Sequence, residues 1–123
     1  MGILIYGANG YSGKLIVEEA LKQGLKPIVA GRTKSKIISL ASAYQLEYKV
    51  FGLENVPNVV THLEGVSLVL NCAGPFSKTA KPLIEACLLA QSHYLDITGE
   101  LDVFEMAKDF DLQAKDNEVI IMP

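Results

Sequence analysis

The 123-residue sequence predicts a doubly wound α/β domain, a parallel sheet with helices on both faces. Three observations predict it. Short apolar runs alternate with amphipathic stretches along the whole chain, which is the pattern of strand and crossover helix. The links between them are brief, with no internal repeat and no linker, so residues 1–123 read as one domain. The first apolar run opens directly onto a glycine-rich turn and then a helix, the arrangement that holds anions in nucleotide-binding sheets.

The elements follow in order. Gly2 to Tyr6 is apolar on both faces, as expected of a central parallel strand. The helix after it aligns Gly13, Val17, Ala20, Leu21 and Gly24 on one stripe, with Gly24 as its C-cap. Pro27 to Ala30 forms the second strand and stops at Gly31-Arg32-Thr33. Thr33 is the expected N-cap of a helix running to about Tyr44, with Ile37, Leu40, Ala41 and Tyr44 inward. Glu47 to Phe51, carrying Glu, Tyr and Lys, reads as an edge strand. Gly52 to Gly65 reads as a loop with one helical stretch. Val66 to Cys72 is the next buried strand, and a helix with Pro82 in its first turns follows, packing Leu83, Ala86, Cys87 and Ala90. His93 to Ile97 is the fifth strand. A helix with Val103, Met106, Ala107, Phe110 and Ala114 on one face leads to a sixth at Glu118 to Met122. Six strands in this pattern imply the order 3-2-1-4-5-6.

Composition excludes several classes. Half the residues are apolar and a fifth charged, enough for a real core. A net charge of −3 argues against a nucleic-acid surface. No apolar run reaches the roughly 20 residues that span a bilayer, so no membrane partner is expected. The N-terminus lacks the basic region of a signal peptide, and a cytoplasmic location is expected. Cys72 and Cys87 have no metal-type spacing and read as small core residues of a reduced protein, with no metal site.

The chemistry gathers at the glycine turn. Its spacing is Gly-x-x-Gly-x-x-Gly, not G-x-G-x-x-G, but strand, turn and helix supply the confirming context for a dinucleotide site. Gly7 makes the tight turn, Gly10 lets the backbone approach a pyrophosphate, and Gly13 lets the helix pack closely. The whole turn, with Ala8, Asn9, Tyr11 and Ser12, is the candidate phosphate cradle, set against the alternative of an ordinary structural turn. At the end of strand two, NAD-binding domains usually carry a carboxylate for the ribose 2′-OH. This chain instead has Gly31-Arg32-Thr33-Lys34, with Lys36 after it. Gly31 leaves room and Arg32 can fork onto a 2′-phosphate, so NADP(H) is the expected cofactor. The alternative is a solvated basic helix start, which opposes the helix dipole.

Ligands on such sheets bind at the carboxyl edge, where strand order reverses. Asn71-Cys72-Ala73-Gly74-Pro75-Phe76 therefore lies along the cofactor, with Gly74 permitting close approach and Pro75 and Phe76 forming an apolar wall by the nicotinamide. A bare Gly-Pro turn is the alternative. Alternation puts Tyr94, Asp96 and Thr98 on one face as a possible acid–base cluster, although helix capping and packing, with Glu100 and Asp102 following, explain them as well. His62 and His93 have no partner by spacing. No tyrosine has a lysine four residues on, so the Tyr-x-x-x-Lys pair of a short-chain reductase is absent and no catalytic residue is assigned.

The stretches GANGYSGKLIVEEALKQG, VAGRTKSKI and LNCAGPFSKTAKPLIEACLLAQSHYLDITGE resemble the N-terminal NADP-binding domain of the saccharopine dehydrogenase-like oxidoreductases, which include the trans-acting enoyl reductases. The resemblance covers nearly the whole chain. It implies an NADP-binding Rossmann domain whose Gly7, Gly10, Gly13, Arg32 and 71–76 loop hold the cofactor. It also implies hydride transfer to or from a C=N, C=O or C=C group presented by a longer substrate and dimerisation half, in cis or in trans. Without that half, apolar surface along the carboxyl edge and the last helix and strand is expected to be exposed, and so a two-fold homodimer is expected. The sequence stops near Pro123, where the family pattern passes into that half, so a truncated chain or a stand-alone domain is expected. Without an assigned proton donor, a non-catalytic NADP-sensing or interaction module is the competing expectation, and a self-sufficient short-chain-type reductase a weaker third.

Overall fold

The computed structural model describes residues 2–97, 110–116 and 118–122. Six parallel strands form one sheet: β1 (Gly2–Tyr6), β2 (Ile28–Gly31), β3 (Tyr48–Val50), β4 (Val66–Asn71), β5 (His93–Asp96) and β6 (Ile121–Met122). Their order is β3-β2-β1-β4-β5-β6, as the sequence predicts. The helices are α1 (Tyr11–Lys22), α2 (Lys34–Tyr44), α3 (Val56–His62), α4 (Phe76–Ala90) and, near the end, α5 (Asp111–Asp116). The expected residues Thr98, Glu100, Asp102, Val103, Met106 and Ala107 lie outside the described residues.

Strand β1 is central because its side chains serve two cores. Leu4 and Tyr6 join a cluster with Val59 of α3, Leu63 just past its end, Leu83 and Ile84 of α4, and Tyr94. Ile5, one residue on and so on the opposite face, joins Val17 of α1 with Ile37, Leu40 and Ala41 of α2. Helices α1 and α2 thus cover one face and α3 and α4 the other. Pairing of β1 with β2 on one side and with β4 on the other opens the crevice between the diverging crossovers.

Helix ends follow local chemistry. Past α1, Gly24 takes φ +80°, while Gly24 N–H bonds the Leu21 carbonyl and Leu25 N–H that of Ala20, a Schellman closure. Gln45 and Gln91 close α2 and α4 in the same left-handed conformation without being glycine. In α3, the Asn55 side chain caps Asn58 N–H at 3.1 Å. The sequence placed a helical stretch in this segment without its bounds. Helix α4 starts at Phe76, which puts Pro82 inside it, in the second turn.

Candidate functional site at the carboxyl edge of the sheet

Three helix N-termini meet above the ends of β1, β2 and β4. The N-cap positions of α1, α2 and α4 are Gly10, Thr33 and Pro75, and none of the three helices has a side-chain cap or an acidic residue in its first turn. The first N–H groups of each helix lack intrahelical acceptors, and the dipole adds positive potential there. Thr33 holds the expected N-cap position, but its hydroxyl makes no capping bond. Between these ends lies a cleft of about 330 Å³, lined by Tyr6, Gly7, Asn9 and Gly10 from the first turn, Gly31, Arg32 and Thr33 from the second, Leu53, Cys72, Ala73, Gly74 and Pro75, and Lys78 and Thr79 of α4.

The turn's geometry explains two of its glycines. Gly7 has φ +79°, and a Cβ on it would lie 2.7 Å from the Ala73 backbone. Gly13 is buried, and a Cβ there would strike the Gly7 carbonyl and Ala8. Glycine at 7 and 13 therefore lets β1, the loop after β4 and α1 touch. Gly10 meets only the Gly7 carbonyl, at an ordinary 3.5 Å, and stands exposed at the cleft.

Some candidates lie outside the lining. Ala8 is fully buried beneath the turn, Ser12 is half-buried, and Tyr11 points to solvent with 83% of its surface exposed. Phe76, expected as an apolar wall, is half-buried, packs against the core cluster and does not line the cleft. Gly31 does not leave open room: a Cβ there would lie 2.8 Å from Ile37 Cδ1 and 3.0 Å from Asn9 Oδ1, so the chain's own side chains fill the space.

Asn71 is wholly buried and organises the second loop. Its Oδ1 accepts the Ala73 N–H at 3.0 Å, and its Nδ2 donates to Thr79 Oγ1 at 3.0 Å and to the Tyr94 hydroxyl at 3.1 Å. Thr79 closes the loop by donating to the Ala73 carbonyl at 2.7 Å. The Tyr94 hydroxyl donates to Asp96 Oδ2 at 2.6 Å, joining the same-face pair read from strand alternation. Burial, then the bond to Asp96, pushes the Tyr94 phenol far above its ordinary range. This tyrosine is a strut holding its proton. Burial also raises Tyr6 to about 12 and Cys72 to about 11, Asp96 adding to the latter. Both cleft residues are therefore protonated near neutrality.

Spacing hid the partners of both histidines. His62 stacks on Phe51 at 4.7 Å and His93 Nδ1 accepts the Ile120 N–H at 2.9 Å. It also hid Tyr6, Leu53, Lys78 and Thr79. Lys78 and Thr79 lie three and four residues past Pro75, the spacing that returns a helical side chain to the side of its N-terminus. No metal-binding group of His, Cys, Asp or Glu occurs among the described residues, and no described helix is long and apolar enough to cross a membrane.

Residues 3–122 match the saccharopine dehydrogenase NADP binding domain. A saccharopine dehydrogenase-like oxidoreductase of Bos taurus is 23% identical over 123 residues, covering 85% of this chain and 29% of the relative. A trans-acting enoyl reductase of Mycobacterium leprae is 31% identical over 106 residues, covering 80% and 25%. The chain thus spans less than a third of the length of these relatives. In fold it is similar to saccharopine dehydrogenase (L-Glu forming) of Saccharomyces cerevisiae, with TM-score 0.79 at 12% identity over 98% of this chain and 26% of that one. It is also similar to yeast methylglyoxal/isovaleraldehyde reductase Gre2 complexed with NADPH, with TM-score 0.78 at 18% identity over 98% and 52%.

Proposed function

The chain belongs to the family of saccharopine dehydrogenase NADP-binding domains, and we propose from that premise that the carboxyl-edge cleft holds NADP(H) for hydride transfer. One observation carries the reading: three uncapped helix N-termini and the Arg32 guanidinium surround a single cleft. The donor set fits a ligand with a pyrophosphate at one end of its reach and a 2′-phosphate at the other. The N–H groups at Tyr11 and Ser12 hold the pyrophosphate, that of Gly10 bonding the Gly7 carbonyl at 3.1 Å, and Gly10 offers no side chain to block it. Arg32 and Thr33 hold the 2′-phosphate. The Ala73-Gly74-Pro75 loop, held by Asn71 and Thr79, positions the ribose and nicotinamide. When bound, the nicotinamide would supply a hydride to a C=N, C=O or C=C group, or accept one from the reduced form of that group.

The test is a thermal-shift titration with NADPH and NADH, because a ligand that binds only the native state raises its melting temperature. NADPH is expected to give the larger shift, and Arg32→Asp to weaken NADPH by roughly tenfold or more while leaving NADH little changed. Equal shifts in the wild type, or none, overturn the assignment.

A second reading, an NADP-sensing module without catalysis, is favoured by the absence from the sequence of the Tyr-x-x-x-Lys pair that would supply a proton donor. Turnover of small carbonyl or imine substrates by this chain alone would exclude it. For the enzymatic reading we propose a further half, in cis or in trans, that presents substrate, and a two-fold dimer. The exposed Ile97, Ile120 and Met122 around the β5–β6 edge support such a covering partner. Unpaired, buried Cys72 and Cys87 suit a reducing compartment such as the cytoplasm.

A further inference from the structure

Arg32 is already engaged. Its Nη2 lies 3.0 Å from Glu54 Oε1, the one ion pair among the described residues, with both side chains exposed at 70% and 74%. Glu54 comes from the β3–α3 loop, 22 residues along the chain, and is thus a carboxylate at the end of β2 that no reading of β2 itself contains. The loop is anchored where it leaves the sheet. Tyr6 Oη donates to the Phe51 carbonyl at 2.8 Å, Phe51 N–H bonds the Gly31 carbonyl at 3.0 Å, and the Phe51 ring contacts those of both Tyr6 and His62. Leu53 then lines the cleft and Glu54 stands at its rim beside Arg32. Glu54 also folds its carboxyl group over Gly52, into space that a Cβ would take.

We propose that Glu54 is a resident counter-anion for Arg32 which an incoming 2′-phosphate displaces, so that Glu54 limits the preference for phosphorylated over unphosphorylated dinucleotide. The proposal rests on the NADP(H) reading of the cleft. An exposed carboxylate–guanidinium pair is weak and exchangeable, whereas a phosphate offers more charge and a bidentate match to the same fork. Binding NADP(H) therefore breaks one ion pair to make a stronger one and brings a second anion close to the displaced carboxylate. An unphosphorylated cofactor has no 2′-anion to compete and leaves the pair intact. The specificity of the site is then a difference between two occupants of Arg32, set by a residue outside the glycine turn and outside β2.

Glu54→Gln and Gly52→Ala test this by independent routes, the first removing the charge and the second occupying the carboxylate's seat. NADPH and NADH affinities are measured by nucleotide fluorescence at fixed ionic strength. In both variants NADPH is expected to bind about threefold to tenfold tighter, with NADH within about twofold of wild type. Unchanged NADPH affinity in Glu54→Gln, weaker NADPH binding, or equal tightening of both nucleotides overturns the proposal. Wild-type preference for NADPH and its loss in Arg32→Asp are measured alongside. If these hold while Glu54→Gln does nothing, only the counter-anion role falls; if these fail, the NADP(H) reading falls and the counter-anion role with it.

Discussion

Replacing Gly7 with alanine probes how the first turn is joined to the second loop. Gly7 has φ +79°, and an added Cβ would lie 2.7 Å from both the nitrogen and Cα of Ala73. An L residue in the left-handed region costs about 1–2 kcal/mol. The collision is with backbone, so relief requires the loop held by Asn71 and Thr79 to shift, an overpacking cost of about 1–3 kcal/mol. Restricting the unfolded chain returns about 0.4–1 kcal/mol. The net is a loss of about 2–4 kcal/mol, a large part of the roughly 5–15 kcal/mol typical of a native domain. At this chain length each kcal/mol moves the melting temperature by about 4 °C, so Gly7→Ala is expected to melt about 8–16 °C below wild type. Gly10→Ala is the control. Its Cβ would make only an ordinary contact at 3.5 Å, so its ligand-free melting temperature is expected within about 2 °C of wild type, its defect appearing in the NADPH-induced shift. Thermal and urea unfolding of the three ligand-free proteins measure this. A Gly7→Ala protein as stable as wild type, or a Gly10→Ala protein as unstable as Gly7→Ala, refutes the reasoning.

Four further outcomes are expected. Gln91→Gly relieves a left-handed, exposed residue at φ 58° behind α4 while keeping the Ser92 N–H bond to the Cys87 carbonyl. With the unfolded-state entropy subtracted, it should stabilise by about 0.5–1 kcal/mol in urea denaturation. Tyr94→Phe removes the hydroxyl between Asp96 and Asn71, and should destabilise by about 1–3 kcal/mol in the same assay. Burial raises Cys72 to about 11 and Cys87 to about 12. Both thiols are thus protonated in the folded chain where the unfolded chain has lost its protons. Their contribution is complete below the ordinary thiol value and is lost as pH rises toward 11 and 12, so the urea midpoint should fall between about pH 8.5 and pH 10.5, and less so in Cys87→Ala. At neutral pH both thiols should resist iodoacetamide until the protein unfolds.

The fold was legible because its signals are local and periodic. Strand β1 shows apolar residues on both faces, and Leu4 and Ile5 do enter opposite cores. Helices α1, α2 and α4 each span enough turns to display a stripe. Helix α3 has seven residues, too few for a period to register, and it stands on a local cap from Asn55 instead. The glycine turn was legible for a related reason, since Gly7 and Gly13 are required by contacts between the turn, α1 and the neighbouring loop, and spacing alone encodes those roles.

Side chains whose roles depend on three-dimensional neighbours were another matter. Phe76 carries the same apolar signal whether it faces a ligand or the core, and only the rotation of α4 about its axis decides between them. Gly31 suggests space in sequence, yet Ile37 and Asn9 fill it. Arg32 shows the largest gap between the two views. Read along β2 it is a guanidinium free of carboxylate neighbours, which makes the 2′-phosphate its only evident partner. In the fold, parallel pairing of β2 with β3 brings the two strand ends side by side, and the loop leaving β3 delivers Glu54 to the same place. A parallel β–α–β unit whose two strands are neighbours in the sheet, as β2 and β3 are here and β3 and β4 are not, has this property: the residue after one strand meets the residue after the next, whatever the length of the helix between them. A cofactor preference inferred from one strand end is therefore incomplete until the neighbouring strand's loop has been placed. Here that neighbour reverses the expectation of an uncontested cation and makes the affinity for a 2′-phosphate the outcome of an exchange.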